Sequence, residues 1–269
     1  MADENRDWAR LGIDVTVPSV ARMYDYGLGG KDNFAADREL ADQILARVPD
    51  GRNVAQANRR FLGRAVEFLT GAGIRQFLDL GAGLPSQNNV HEVAQRGCPD
   101  ARVVYVDNDP VVRNHANAIL ATDDSTVVVL EDIRNPERIL AHPDVRGLLD
   151  FSEPIAVMCL AVLHFVTDDE DPWGLVSTLT GALAPGSYLG LSHAARDRRP
   201  ADVVADMQEK YQSASASLSV RSGADITRFF DGLDLVEPGL VATTDWRSDE
   251  LERVRPGGHG MLAGVGRKR

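Results

Sequence analysis

The chain has 269 residues, of which 43% are hydrophobic, and carries a formal net charge of −11 with a pI near 5.0. That length and apolar content are enough for one large α/β domain, or one domain with an appendage. The broad acidic surface is poorly matched to a polyanion, because nucleic-acid binders usually present a basic face, so DNA and RNA are not expected as partners.

Residues 1–17 read as a loose lead-in. MADENRDWARLG is charged and has no apolar signal-peptide core. Pro18-Ser19 opens a short amphipathic segment over residues 20–26, which Gly27 is placed to stop. The overlapping stretch YDYGLGGKDN (24–33) has the look of a phosphate loop but fails on spacing. Counting back from Gly30-Lys31, the first glycine of a P-loop falls on Asp25, and its magnesium-binding hydroxyl falls on Asp32. Asp32 or Asn33 is placed to cap a second helix, with Phe34, Leu40, Ile44, Leu45 and Val48 on its apolar face and Pro49 at its end. A third helix sets Val54, Phe61, Leu62, Ala65, Phe68 and Leu69 at helical spacing and stops at Gly71-Ala72-Gly73.

From Arg75 the period changes. QFLDL (76–80), VVYVD (103–107), TVVVLEDI (126–133), IAVMCLAVLHFV (155–166) and SYLGLSHA (187–194) are apolar runs of strand character. Helical stretches lie between them at 89–96, 111–121 and 173–183, the last with Asp171 as cap and Pro172 in its first turn. Strands alternating with helices predict a parallel sheet covered on both faces. The longest apolar run, 155–166, is too short to span a bilayer and contains His164, so no membrane partner is expected. Cys98 and Cys159 form neither a CxxC pair nor a disulfide framework, which fits a reducing cytoplasm. DLVEPGLV (234–241) and GMLAGVGRK (260–268) read as two final strands. The polar connection and the turn residues Pro256-Gly257-Gly258 between them suit an antiparallel hairpin.

In an open parallel sheet the ligand lies beyond the carboxyl ends of the strands, near the point where strand order reverses. Three such ends carry chemistry here. Gly81, Ala82 and Gly83 follow the first strand, where glycines admit a ligand to the backbone and the next helix start offers N–H groups to an anion. Asp107 ends the second strand and can accept hydrogen bonds from ribose hydroxyls. It stands 26 residues after Gly81, beyond the ~20 usual in dinucleotide folds. After the third strand, Glu131-Asp132-Ile133 offers a carboxylate to an adenine amino group and an apolar side chain to its ring. Each has a plain structural alternative: a tight turn, a helix cap, a capped loop.

The order of glycine turn, acid, then acid with apolar residue resembles class I S-adenosylmethionine-dependent methyltransferases. The stretches YDYGLGGKDNFAADRE, FLDLGAGLPSQNNVHEVAQ, VVYVDNDPVV, AVLHFV, APGSYLGLSHA and FFDGLDLVEPGLV resemble, more narrowly, the actinobacterial S-adenosyl methyltransferase family also known as DUF574. The resemblance runs from about residue 18 to the C-terminus. It implies a Rossmann-like α/β fold: a seven-stranded, mostly parallel sheet ending in an antiparallel hairpin, preceded by a helical lid over 1–74, with the methyltransferase domain at 75–269. It implies S-adenosylmethionine as cofactor, with Gly81, Ala82 and Gly83 under the methionyl part, Asp107 on the ribose, Asn108 beside the adenine, Asp132 and Ile133 framing it, and Leu163 and His164 near the methyl group. One departure is the missing third glycine, since the turn reads Gly81-Ala82-Gly83-Leu84-Pro85. N-terminal helices in this class often close over the cofactor. Tyr24, Tyr26 and the turn from Gly27 to Gly30 are therefore expected as a lid, with Arg22 or Lys31 facing the methionyl carboxylate.

His164 is the candidate general base, since imidazole titrates near neutral pH, and His193 is a candidate for the acceptor pocket beside Tyr24. Methyl transfer needs chiefly alignment, so a base is not obligatory. The acidic run 168–171 reads as a solvated loop and helix cap rather than a metal site. Met207, Tyr211, Phe229 and Phe230 lie in the segment after the fifth strand, where insertions commonly shape the acceptor pocket in this class, although Phe229 and Phe230 read rather as plain packing. LAVLHF (160–165) lacks the Asn/Asp-Pro-Pro-aromatic pattern of methyltransferases acting on nucleic-acid amino groups, which favours a small-molecule acceptor. Two other functions stay open: a sensor that binds the cofactor without transferring its methyl, and a nicotinamide-dependent oxidoreductase, whose third glycine would fall near Ser86.

Overall fold

The computed structural model describes residues 13–85, 88–112, 124–250, 255 and 257–269. Its centre is β1 (Gln76–Leu80), buried along its whole length and flanked on both sides by parallel neighbours. On one side lie β2 (Arg102–Asp107) and β3 (Thr126–Leu130). On the other lie β4 (Ala156–Leu160) and β5 (Tyr188–Ala194). The last strand, β8 (Met261–Lys268), runs antiparallel against β5 and carries β6 (Leu233–Leu235) and β7 (Val241–Ala242) on its far edge, giving the order β3-β2-β1-β4-β5-β8-β6. The chain leaves β1 toward β2 and later returns to the other side as β4, so the strand order reverses between β1 and β4.

Both faces are covered. One is lined by Leu78, Val104, Val157 and Leu189, which pack against α5 (Pro136–Ala141), α6 (Pro143–Leu148) and α7 (Pro172–Gly181). The other is covered by α3 (Gly51–Gly71) and α4 (Val90–Gly97), whose Phe61, Leu69 and Val93 pack with Phe77 and Met158. α3 therefore belongs to the sheet, and a division at residue 74 follows no packing boundary. Helix α7 starts as its sequence demands: Asp171 accepts the Gly174 N–H at 3.0 Å and Pro172 occupies the first turn. After β5 come α8 (Ala201–Tyr211) and the short α9 (Gly223–Thr227).

Three expectations change. The apolar run 155–166 is not one strand, because Ala161 adopts φ 55° and turns the chain into a 3-10 turn at Leu163–Phe165. The run 234–241 is divided into β6 and β7, which share one edge of β8. The second helix starts at Ala35 and is not capped by Asp32 or Asn33; Asp37 accepts the Phe34 N–H at 2.7 Å instead. Of the helix expected over 111–121, only residues 111 and 112 are described.

The covering helices are α1 (Val20–Leu28) and α2 (Ala35–Arg47). They are joined by a buried ion pair, Arg22 Nε to Asp37 at 2.9 Å, and Asp37 also takes the Ser19 N–H at 2.8 Å. Arg22 donates to the Val17 carbonyl at 2.7 Å, and Ser19 Oγ donates to Asp109 at 2.6 Å. These contacts tie the start of α1 down onto the end of β2. Removing one partner of a buried pair leaves the other charge unpaired, which costs about 3–5 kcal/mol. Asp37→Ala is expected to lower the unfolding free energy by about 3 kcal/mol in urea titrations, and a loss below about 1 kcal/mol would show that the lid lies outside the cooperative unit.

Candidate cofactor and acceptor site

A cavity of about 530 Å³ opens at the carboxyl ends of β1, β2 and β4 and is roofed by α1 and α2. It lies where strand order reverses, and its size is typical of small-molecule sites. Its floor is the glycine turn. Gly81 has φ 69° and Gly83 φ 66°, both in the left-handed region. A Cβ on Gly81 would stand 2.3 Å from the Val162 side chain, whereas one on Gly83 would meet only open space.

Asp107 holds this turn. One carboxylate oxygen accepts the Gly83 N–H at 2.8 Å and the other accepts the Asp109 N–H at 2.9 Å. Gly81 and Ala82 donate their N–H groups to the Val106 carbonyl. The turn's donors are thus spent within the protein, and α4 begins only at Val90. The expectation that a helix start beside Gly83 would meet an anion is corrected accordingly.

Beside the half-buried Asp107 lies Asp79, which is buried and also faces the cavity. Burial pushes its carboxyl up to about 7, with Arg59 pulling it down and Asp107 pushing it further up. Burial likewise raises Asp107, to about 6, against the pull of its hydrogen bonds to Asp109 and Gly83. Two carboxylates held partly protonated in one crevice are matched to a ligand that brings positive charge and hydroxyl donors. Arg59 on α3 lines the same end and reaches Asn88 O at 3.1 Å and Asn89 Oδ1 at 3.2 Å, so a guanidinium stands where a carboxylate could be received. Asp79, Arg59 and the buried Asn58 were not singled out from the sequence. The signal was there for the last two, since Asn58 and Arg59 interrupt the buried face formed by Ala55 and Leu62.

Asn108 and Ile133 line the next part of the cavity, while Asp132 faces away from it. Asp132 is engaged by Asn108 Nδ2 at 3.3 Å and by the Arg134 side chain at 3.0 Å, and so orients Asn108.

At the end of β4, Ala161 and His164 line the cavity but Leu163 does not, being fully buried in the core. Arg221 fixes this loop. It is itself buried, stacks near Trp173, donates to the Leu163 and Val166 carbonyls at 2.9 and 2.7 Å, and pairs with Asp168 at 2.7 Å. It also meets His193 Nε2 at 2.9 Å, which places His193 in this buried cluster and outside the cavity. Burial, together with the charge of Arg221, lowers His193 to about 3. His164 is held well below the usual imidazole range by burial, His193 and Arg221. Its Nδ1 accepts the Ala194 N–H at 3.4 Å. A neutral ring that accepts at Nδ1 carries its proton on Nε2, so His164 is a donor at Nε2 and poorly suited to act as a base.

The lid stretch divides. Tyr24 faces in: its hydroxyl donates to the Ala55 carbonyl at 3.1 Å and accepts from Asn58 Nδ2 at 3.0 Å, and Asn58 accepts from Ser192 Oγ at 2.6 Å. Ser192 Oγ in turn accepts the Ala161 N–H at 3.0 Å, so one buried chain of hydrogen bonds joins lid to strand end. Tyr26 faces out, donating to Asp42 at 3.0 Å beneath the Arg52 guanidinium. Gly30 does not line the cavity, and it is glycine because a Cβ there would collide with the Asp25 carboxylate. Lys31 is exposed and does not line the cavity, whereas Arg22 lines it with its guanidinium paired to Asp37.

A family model described as S-adenosyl methyltransferase matches residues 6–269. A protein of Thermobifida fusca, described as a candidate methyltransferase, is 45% identical over 96% of this chain and 97% of its own, with a TM-score of 0.90. A DUF574 family protein of Streptomyces avermitilis is 38% identical over 95% of this chain and 99% of its own, with a TM-score of 0.91. The fold alone extends to a 1,6-didemethyltoxoflavin N1-methyltransferase of Burkholderia thailandensis, 13% identical over 84% of this chain and 86% of its own, with a TM-score of 0.50. No curated protein matches the sequence significantly.

The raised carboxyls make a stability prediction. Asp79 is protonated up to about pH 7 in the native state but ionises near 3.8 when unfolded, so its contribution is full below about 3.8 and lost as pH rises through 7. The buried neutral His164 and His193 act in the opposite sense below pH 6.5, so the informative quantity is the difference from Asp79→Asn. Between pH 5 and 7 the wild type, free of ligand, is expected to lose stability relative to that variant by up to about 1.4 kcal/mol per pH unit. Urea titrations at four pH values measure this, and a flat difference would refute it.

Proposed function

The chain belongs to the S-adenosyl methyltransferase family, and we propose that its acceptor is a small molecule received on the apolar wall of the cavity facing the glycine turn. The protein is an S-adenosylmethionine-dependent methyltransferase with a Rossmann-like α/β fold. The observation that carries the small-molecule reading is the continuity of one roofed cavity, from Asp107 and Asp79 to the apolar residues of α2 and α8. A roof fixed by Arg22–Asp37 and Ser19–Asp109 leaves room for a compact acceptor and works against a polymer lying across the sheet.

The residues present fit the cofactor. Asp107 would accept from the ribose hydroxyls while holding Gly83, Asp79 would face the positive methionyl end, and Arg59 its carboxylate. Asn108 and Ile133 would bracket the adenine. When bound, the cofactor supplies an electrophilic methyl group on a sulfonium sulfur. The protein's part is then to fix geometry: Ala161 and Val162 set the wall beside Gly81, and Tyr24 with Asn58 sets the roof. His164, as an Nε2 donor, orients the acceptor, and the acceptor's proton leaves to solvent. Alignment of this kind is sufficient for a large rate effect. Among the described residues no helix is long and apolar enough to cross a membrane. The net charge of −11 supports an acceptor other than nucleic acid.

Calorimetric titration with S-adenosylmethionine, S-adenosylhomocysteine and NAD tests the cofactor assignment. Binding of the two sulfur compounds and not of NAD is expected. Asp107→Ala is expected to weaken that binding by about 10- to 100-fold, the value of a lost charge-assisted hydrogen bond. Unchanged affinity would remove Asp107 from the site.

A further inference from the structure

The acceptor half of the cavity carries a second message, in its charge. Its walls are Ile44, Val48, Val54, Val204, Met207 and Leu218, from α2, α3, α8 and the segment after α8. The polar groups among them are neutral or already engaged. Arg199 is clamped by Asp50 through two contacts, 2.6 and 3.0 Å. Asn58 is consumed by Tyr24 and Ser192. Two lining residues carry a donor without a protein partner among the described residues: His164, at Nε2 on a ring kept neutral, and Tyr211, whose hydroxyl is kept protonated because burial raises it to about 12. Arg221, whose charge acts on His164, lies outside the cavity and is paired with Asp168.

An anionic acceptor would need an uncompensated cation, and an ammonium would need a carboxylate. Among the described residues neither stands in this half, and burying an unpaired charge there is heavily disfavoured. Aromatic and thioether groups line it instead: Phe165 and Tyr211 with ring centroids 5.6 Å apart, and Met207, Met23 and Met261. Such walls favour a flat ring. Resting on the small-molecule methyltransferase reading above, we infer that the acceptor is an uncharged, ring-containing, largely apolar molecule whose oxygen or nitrogen accepts from His164 or Tyr211, and that carboxylates, phosphates and ammonium compounds are rejected.

The test is thermal shift of the protein saturated with S-adenosylhomocysteine, using three probes of one shape: 2-naphthol, 2-naphthoate and 2-naphthylmethylammonium. The expected result is stabilisation by 2-naphthol, at a concentration at least tenfold below that at which either charged probe acts. Met207→Lys, which places a cation on a partly exposed position of that wall, is expected to reverse the preference toward 2-naphthoate. Equal or stronger stabilisation by a charged probe in the wild type, or none by 2-naphthol, overturns the inference. S-adenosylhomocysteine is itself scored first, against the ligand-free protein. No shift with it would defeat the cofactor assignment, whereas a shift with it and none with 2-naphthol would defeat only the acceptor inference.

Discussion

The hydrogen bond from the Gly83 N–H to Asp107 fixes the site from below. It joins the end of β2 to the turn after β1 at 2.8 Å, in which Gly81 and Gly83 are both left-handed, Gly81 packed against Val162 and Gly83 open. Because Asp107 is half-buried to do this, its carboxyl is raised, and because Asp79 lies behind it, the pair share a crevice that disfavours two negative charges. The site is poised for a ligand that brings hydroxyl donors to one acid and positive charge to the other. The same carboxylate therefore shapes the floor and sets the electrostatic demand on whatever occupies it.

The roof is built on a different economy. Arg22, Asp37, Ser19 and Asp109 form a network that holds α1 over the end of β2, and Ser215 donates its N–H to the Pro18 carbonyl at 2.8 Å. The lid is thus attached at both the cofactor end and the acceptor end. Met23, Leu40, Ala41 and Ile44 bury their apolar surface together beneath Tyr211 and Ala214, so α1, α2 and the end of α8 pack as one layer. Charge in the lid is spent on holding the lid, which explains why Arg22 is unavailable to a ligand and why Arg59, on the sheet-bound α3, stands at the turn instead.

Most of the fold was legible because buried parallel strands write themselves as apolar runs and helices as 3.6-residue periods. QFLDL and VVYVD became β1 and β2 nearly residue for residue. What periodicity does not encode is where a continuous apolar run stops being strand. The run 155–166 is apolar through both β4 and the following turn, and its break is a backbone conformation at Ala161, not a change of composition. The site was legible where a motif fixes a backbone position, as at Gly81, Gly83 and Asp107. It was not legible where side-chain direction decides. Tyr24 and Tyr26 are two residues apart on a helix and face opposite ways, and Asp132 and Ile133 divide between a neighbouring arginine and the cavity. Arg221 could not be assigned from sequence because its partners, Leu163, Val166, Asp168 and His193, come together only through the fold.

Ala161 shows how these pieces depend on one another. A left-handed conformation at a residue with a Cβ is disfavoured by about 1–2 kcal/mol, so it persists only where neighbours over-determine it. Here its N–H is taken by both the Ser192 carbonyl and the Ser192 hydroxyl, at 3.1 and 3.0 Å. That hydroxyl is oriented by Asn58, and Asn58 by Tyr24 of the lid. On the far side, Arg221 grips the carbonyls of Leu163 and Val166. The bend at Ala161 turns His164 inward toward the cavity while Leu163 goes to the core. The strand end at the cavity is thereby held from two directions, by a lid tyrosine through three hydrogen bonds and by a buried arginine beneath the loop. The shape of this wall of the cavity is a property of that shared polar network more than of any one residue in it.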